Sequence, residues 1–442
     1  MRPRPASDLF RFLQSSRLCL LQSYRLIPKS LFSHNQIYYN VIPHFNVVSS
    51  PMTTPTRMSS TQAIIASVYS ASQNKSHYLK DGKGFTNPWL SWRDLDLVKA
   101  VKYIARHRTG PDSAGIWGPS TTPPTVPVIT PQFLQTRSTS STEFRATWLG
   151  HACFCVEFPG GFCVLFDPVF SEGCSPRYTK MPCDIADIPV VDVVVISHNH
   201  YDHLDYNTVM KLKKQHPNAW YFVPLGNKPW FARSVVENCI ELDWWEERDI
   251  VLTPPNSQTS AKASPSTDSN ELPLKVQTEP AEEEGSKAKD IVARIDCATL
   301  WASWSIESGG KKVYFGGDTG YRAVPPDLPK SVDDYGDEFK DLPVCPAFKQ
   351  IGELRGPFDV GLIPIGAYMP RWVMSPMHAN PYDAVRIFVD TKCKKALGIH
   401  WGTFVLTDEL EPPRLLKEAL GKEGIEKEGV FDVLNIGETR EY

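Results

Sequence analysis

The chain has 442 residues, 41% hydrophobic and 22% charged, with a formal charge of −3, which is the balance of a globular enzyme with room for appendages. No apolar run reaches the ~20 residues a membrane-spanning helix requires, so any membrane contact is expected to be peripheral. The first 80 residues carry nine Lys or Arg against the single acid Asp8, leaving −11 on the remainder. A body that acidic does not invite nucleic acid.

Residues 1–60 are nearly free of acids, with Arg2, Arg4, Arg11, Arg17 and Arg25 spaced around Phe10, Leu13, Leu18 and Leu20. That composition reads as a mitochondrial transit peptide, the alternative being a disordered tail with no address. Residues 82–142 form an accessory segment. Within it, Leu95, Leu97, Val98, Val101 and Ile104 have helical apolar spacing beside Lys99, Lys102 and Arg106, after Trp89 and Trp92. This is either a membrane-facing helix with aromatic anchors or a helix docked on the main body.

Regular alternation begins at Phe144. Short strands are expected over 144–149, 153–158 and 162–166, with Pro159-Gly160-Gly161 as a hairpin turn. Strands over 191–196 and 220–223 continue the first sheet, separated by a helix over 206–215. Further strands are expected over 250–253, 299–306, 312–315, 360–364 and 396–400, with a helix over 381–389. Two batches of strands, each followed by helices, imply two packed mixed sheets flanked by helices, an αββα sandwich spanning 143–442. Residues 254–290 interrupt it with Ser, Thr, Pro, Glu and Lys and no aromatic side chain. Such a stretch cannot bury enough apolar surface to order itself, and is either a lineage-specific loop or translated non-coding sequence. The ten cysteines include no C-x-x-C pair, so neither a zinc ribbon nor a redox motif is indicated.

The densest chemistry lies just past the strand run 191–196. His198, His200, Asp202, His203 and Asp205 place five side chains suited to metal binding in eight positions. They leave the end of a strand and enter a loop, where function usually sits. In an extended segment His198 and His200 point to one side, and a turn after Tyr201 brings Asp202 and His203 beside them. This is a dinuclear pattern, most naturally two Zn²⁺. One loop cannot surround two ions, so distant ligands are needed. Asp318 follows the strand 313–315 through Gly316-Gly317 and suits a bridging carboxylate, and His400 closes the strand 396–399.

The pattern His-x-His-x-Asp-His resembles the metallo-β-lactamase superfamily. The stretches His198 to Asp205, Gly317-Asp318-Thr319-Gly320-Tyr321 and Leu397-Gly398-Ile399-His400-Trp401-Gly402-Thr403 narrow the resemblance. With Trp148-Leu149-Gly150-His151, Asn87-Pro88-Trp89 and residues 299–304, they look like the N-acylphosphatidylethanolamine-hydrolysing phospholipase D family, over residues 82–407. The resemblance implies that His198 and His200 hold the first metal, that Asp202, His203 and His400 hold the second, and that Asp318 bridges both. It also sets His378 near the scissile phosphate, as binder or proton donor. His151 reads as a supporting residue behind the ligands. His34, His44, His77, His107 and His216 read as surface residues.

The implied activity is hydrolysis of N-acylphosphatidylethanolamine to N-acylethanolamine and phosphatidic acid at a membrane surface. Asp202 and Asp318 would set the metals and orient the attacking water. One ligand departs from the family pattern: a third His on the first metal should follow the strand 250–253, yet no histidine occurs between His216 and His378, and Thr259 stands in its place. Two other readings therefore stay open. One is a hydrolase of another ester, lactone or phosphodiester on the same fold, and the other is a catalytically impaired lipid-binding member.

Overall fold

The computed structural model describes residues 76–81, 84–94, 126–137, 140–171, 177, 179–252, 274–275, 291–297, 301–326, 328–329, 331–404 and 411–442. The transit-peptide reading of 1–60, the helix over 95–106, Thr259 and nearly all of the insertion at 254–290 lie outside them.

The first batch of elements is β1 (Arg145–Gly150), β2 (Cys153–Glu157), β3 (Cys163–Phe166), β4 (Val193–Val195), α1 (Tyr206–Gln215), β5 (Trp220–Pro224), α2 (Lys228–Arg233) and β6 (Cys239–Leu242). The chain then crosses to β7 (Glu247–Leu252), β8 (Leu274–Lys275), β9 (Ile291–Cys297), β10 (Trp304–Ser308) and β11 (Lys311–Phe315). It continues through α3 (Ala347–Leu354), β12 (Phe358–Pro364), α4 (Arg371–Met374), α5 (Pro381–Asp390), β13 (Cys393–Ile399), α6 (Glu411–Lys422), β14 (Phe431–Asp432) and β15 (Thr439–Glu441). One sheet has the order β15-β1-β2-β3-β4-β5-β6 and the other β14-β13-β12-β11-β10-β9-β7-β8. Both are mixed, and helices flank them: the expected αββα architecture.

Strand alternation decides which side chains meet. On β4, Val193 and Val195 join the cluster between the sheets, whereas Val194 joins the cluster shared with Val209 and Leu212 of α1. A strand covered on both faces reads as a continuous apolar run, which is why 191–196 is so legible. Phe166 of β3 meets Phe315 of β11 across the sandwich, ring centroids 4.8 Å apart. Cys153 and Cys155 are buried hydrophobes on β2, and all the described cysteines are free thiols.

Each sheet holds a run of parallel strands. Strands β3 to β6 are parallel in the first sheet, and β11 to β14 in the second. Chain leaving the carboxyl ends of such strands is the usual place for a ligand site. Asp167 follows β3, His198 follows β4, Asp318 follows β11 and His400 follows β13.

Several boundaries differ from those expected. The strand expected over 299–306 starts at Trp304, because Trp301 has a left-handed backbone, φ 49°. The strand expected over 396–400 ends at Ile399, and His400, φ 64°, lies just beyond it. His77 and His216 are buried at 4% and 5% exposure, not surface residues. His77 gains that burial by bonding Asp243 at 2.9 Å and stacking on Trp244, partners far away in sequence. The described part of the accessory segment docks on the main body: Trp89 stacks on Trp244, and Arg93 donates to the carbonyls of Val324 and Trp372.

Candidate metal centre

The hairpin of β1 and β2, the loop after β4, the loop after β11 and the turn after β13 converge on one buried cluster. The carboxylate Oδ1 of Asp318 is 3.0 Å from His400 Nε2 and 3.2 Å from His203 Nε2. Its Oδ2 is 3.5 Å from His198 Nε2 and 3.9 Å from His378 Nδ1. Asp202 Oδ2 lies 3.6 Å from His203 Nε2 and 3.8 Å from His400 Nε2. Donor atoms group as His198, His200 and Asp318, and as His151, Asp202, His203 and His400, each within 4.8 Å of one another. Asp318, His378 and His400 form a third such set. Every residue expected at the metals from sequence is thus brought together, with Asp318 between the two groups.

The fifth side chain of the motif is not in the cluster. Asp205 is the N-cap of α1, its carboxylate accepting from Thr208 N at 2.9 Å and from the Thr208 hydroxyl. Short acids are favoured at such caps because they satisfy an orphan helix amide.

The donor set fits metal ions on two grounds. First, His198 Nε2, His203 Nε2, His400 Nε2, His378 Nδ1 and both oxygens of Asp318 are buried and face one another with no hydrogen bond of good geometry among them. Buried polar groups are ordinarily paired, so this many orphans pointing at one another mark a place built for cations. Second, the protonation balance of the cluster is strained. Burial would raise the Asp318 carboxyl, yet the imidazoles of His203, His400 and His378 hold it well below the usual carboxylate range. Burial pushes His378 down to about 4, and for His400 the Asp318 and Asp202 carboxylates overcome burial and push it up to about 9. Imidazole and carboxylate donors together are the ligand chemistry of zinc and similar divalent ions.

Supporting residues lock these donors. Asp167 accepts from His203 Nδ1 at 2.7 Å and from Ser197 N at 2.7 Å. A carboxylate on the far nitrogen of an imidazole sets its tautomer and orientation for a metal. Sequence reading missed Asp167: an acid in Phe166-Asp167-Pro168 has no spacing signal, and only the pairing of β3 with β4 puts it behind His203. Trp301 stacks on His198 at 4.7 Å and meets the edge of His200 at 4.9 Å. Its left-handed turn is what aims it there. His378 sits on the tight loop before α5, where Asn380 and Asp383 form a reciprocal capping box. That loop is tied to the Asp318 loop by Ala379 N donating to Thr319 O at 2.7 Å.

This fold and this centre define a metal-dependent hydrolase. A family model described as the β-lactamase superfamily domain matches residues 163–335 and 340–401. The chain belongs to that superfamily, in the branch of the N-acylphosphatidylethanolamine-hydrolysing phospholipases D. It is 33% identical over 318 residues to N-acyl-phosphatidylethanolamine-hydrolyzing phospholipase D 1 of Caenorhabditis elegans, covering 68% of this chain and 77% of that one. It is 30% identical to the mitochondrial N-acyl-phosphatidylethanolamine-hydrolyzing phospholipase D of Saccharomyces cerevisiae, covering 61% of this chain and 50% of the relative. A metal-dependent hydrolase of Archaeoglobus fulgidus is 27% identical over 67% of this chain and 99% of its own.

Proposed function

We propose that the chain is a zinc-dependent phosphodiesterase of the phospholipase D type, cleaving N-acylphosphatidylethanolamine to N-acylethanolamine and phosphatidic acid at a membrane surface. The observation that carries this reading is the pair of donor groups sharing Asp318, with orphaned nitrogens and oxygens facing one another in a buried cluster. The substrate comes from what the nematode and yeast relatives are named for. A mitochondrial address follows from the Arg-rich, acid-poor residues 1–60 and from the name of the yeast relative. No helix among the described residues is long and apolar enough to cross a membrane.

In this reading His198 and His200 would hold one ion, Asp202, His203 and His400 would hold the other, and Asp318 would serve both. When bound, such ions activate water and neutralise charge growing on phosphoryl oxygens. The protein residues have the remaining tasks. Asp318 and Asp202 orient the centre, and Asp167 fixes the His203 ring. His378, 3.9 Å from Asp318 and held neutral by burial, would donate its ring N–H to a phosphoryl oxygen and steady the charge that grows there. The burial of the cluster keeps bulk water from screening these charges.

The deciding experiment measures bound metal in purified protein together with N-acylethanolamine release from phosphatidylcholine vesicles doped with N-acylphosphatidylethanolamine. Release that is lost with a chelator and restored by Zn²⁺ is the expected result. Metal-loaded protein that hydrolyses other esters or phosphodiesters and leaves this lipid intact would move the assignment to another substrate.

A further inference from the structure

We infer that His151 makes the Asp202, His203 and His400 position the tighter of the two metal sites, by fixing the Asp202 carboxylate where the ion needs it. This rests on reading the cluster as a metal centre. His151 Nε2 donates to Asp202 Oδ2 at 3.0 Å, and the ring packs against both His400 and His203 at centroid distances of 4.1 and 5.2 Å. Asp202 needs such a partner more than its neighbours do. Its side chain is 23% exposed, against 1% or less for His203, His400 and Asp318, so water competes for its orientation.

The backbone is shaped to present this imidazole. Gly150 and His151 both have left-handed conformations, φ 102° and 54°, and a non-glycine residue holds such a conformation only where its surroundings over-determine it. Here the His151 amide donates to Thr403 Oγ1 at 2.6 Å, and its carbonyl accepts from His400 N at 3.0 Å and Trp148 Nε1 at 2.9 Å. These bonds hold His151 by its main chain against the ligand His400. The proton that Nε2 gives to Asp202 leaves that nitrogen no lone pair for an ion, so His151 is a positioning residue and not a ligand.

The two positions are then unequal. One has Asp202 held by His151, His203 held by Asp167 at 2.7 Å, and His400. The other has His198, His200 and the shared Asp318, and the sequence offers no further histidine between His216 and His378.

The test titrates metal-stripped protein with Co²⁺ or Zn²⁺ against a chromophoric chelator. Wild-type protein should bind one equivalent tightly and a second weakly, with the tight equivalent kept in His200→Ala. In His151→Phe the tight equivalent should weaken by about 10–100-fold, the usual consequence of losing the partner of a metal ligand, while the weak one stays put. His151→Gln retains a side-chain N–H donor and should recover most of the loss. A tight equivalent unchanged in His151→Phe overturns the inference, as does equal weakening in His151→Gln. If His151→Phe does not fold, judged by the melting of its metal-free form, His151→Asn, too short to reach Asp202, takes its place. Wild-type protein that binds no metal would overturn the metal reading itself, a different outcome from intact binding that ignores position 151.

Discussion

Replacing Arg371 with Met should destabilise the protein by about 3–5 kcal/mol, the usual cost of removing one partner from a buried ion pair. Arg371 is 8% exposed and lies between two acids that are themselves buried, Asp334 and Asp383 at 6% and 0%. Its Nη2 is 2.8 Å from each carboxylate, and its Nε is 3.1 Å from Asp334. Without it the two acids share a single guanidinium, Arg322, whose nitrogens are 3.8 Å from both. Asp383 keeps the Tyr335 hydroxyl and the Asn380 amide, so its charge stays partly satisfied, which favours the lower end of the range. Against a total stability of about 5–15 kcal/mol, that is a large share. The assay is urea unfolding of metal-free protein, read as a fall in midpoint at constant slope. Arg371→Lys should recover only part of the loss, because a single ammonium cannot reproduce the planar fork that spans both acids. The network also touches the site: Arg371 Nη1 is 3.5 Å from the His378 carbonyl, and Asp383 completes the capping box of the helix after it. A loss below about 1 kcal/mol, the level of an exposed pair, would refute the reasoning.

Asp318→Ala removes the carboxylate shared by both donor groups and should abolish bound metal in elemental analysis together with hydrolysis; full metal content would show that Asp318 is not a ligand. His378→Ala should lower the rate by about 10²–10³-fold, the usual cost of losing one donor to developing charge, with metal content unchanged, and a wild-type rate would return His378 to a structural role. Asp167→Ala should weaken metal binding by about 10–100-fold through the freed His203 ring, measured by chelator competition; wild-type affinity would contradict the Asp167 role. Gly437→Ala should lower the melting temperature, because a Cβ there would meet the Ile129 carbonyl oxygen at 1.9 Å on a backbone with φ 90°; an unshifted melt would mean that this loop yields freely.

What could be read from sequence was what local pattern controls. The run at β4 is apolar because both its faces are covered, and α1 was expected over 206–215, where it lies. The metal motif was legible because its donors fall within six positions of one chain, His198 to His203. The same density misled at Asp205, where a capping acid looks like one more ligand until the helix is seen. Asp167 and His77 were illegible for a related reason: their partners are brought by strand pairing and loop docking. The start of β10 was misplaced because Trp301 occupies a left-handed turn that strand propensity does not encode. β15 was missed because three residues, Thr439–Glu441, show no apolar alternation; they become a strand by pairing with β1.

The division of the donors between two sheets constrains the order in which the chain acquires its site. His198 to His203 hang from the first sheet, and Asp318 and His400 from the second. The first sheet is closed on one edge by β15, the last strand of the chain. Contacts this distant in sequence form late, after long loops have been closed. A half-made chain on the ribosome therefore exposes the histidine-rich loop without Asp318 and His400, and the donor cluster is complete only when the C-terminal strands have joined. If the cluster holds ions as proposed, metal capture would mark completed folding, and a misfolded molecule carrying an intact His-x-His-x-Asp-His loop should remain unloaded.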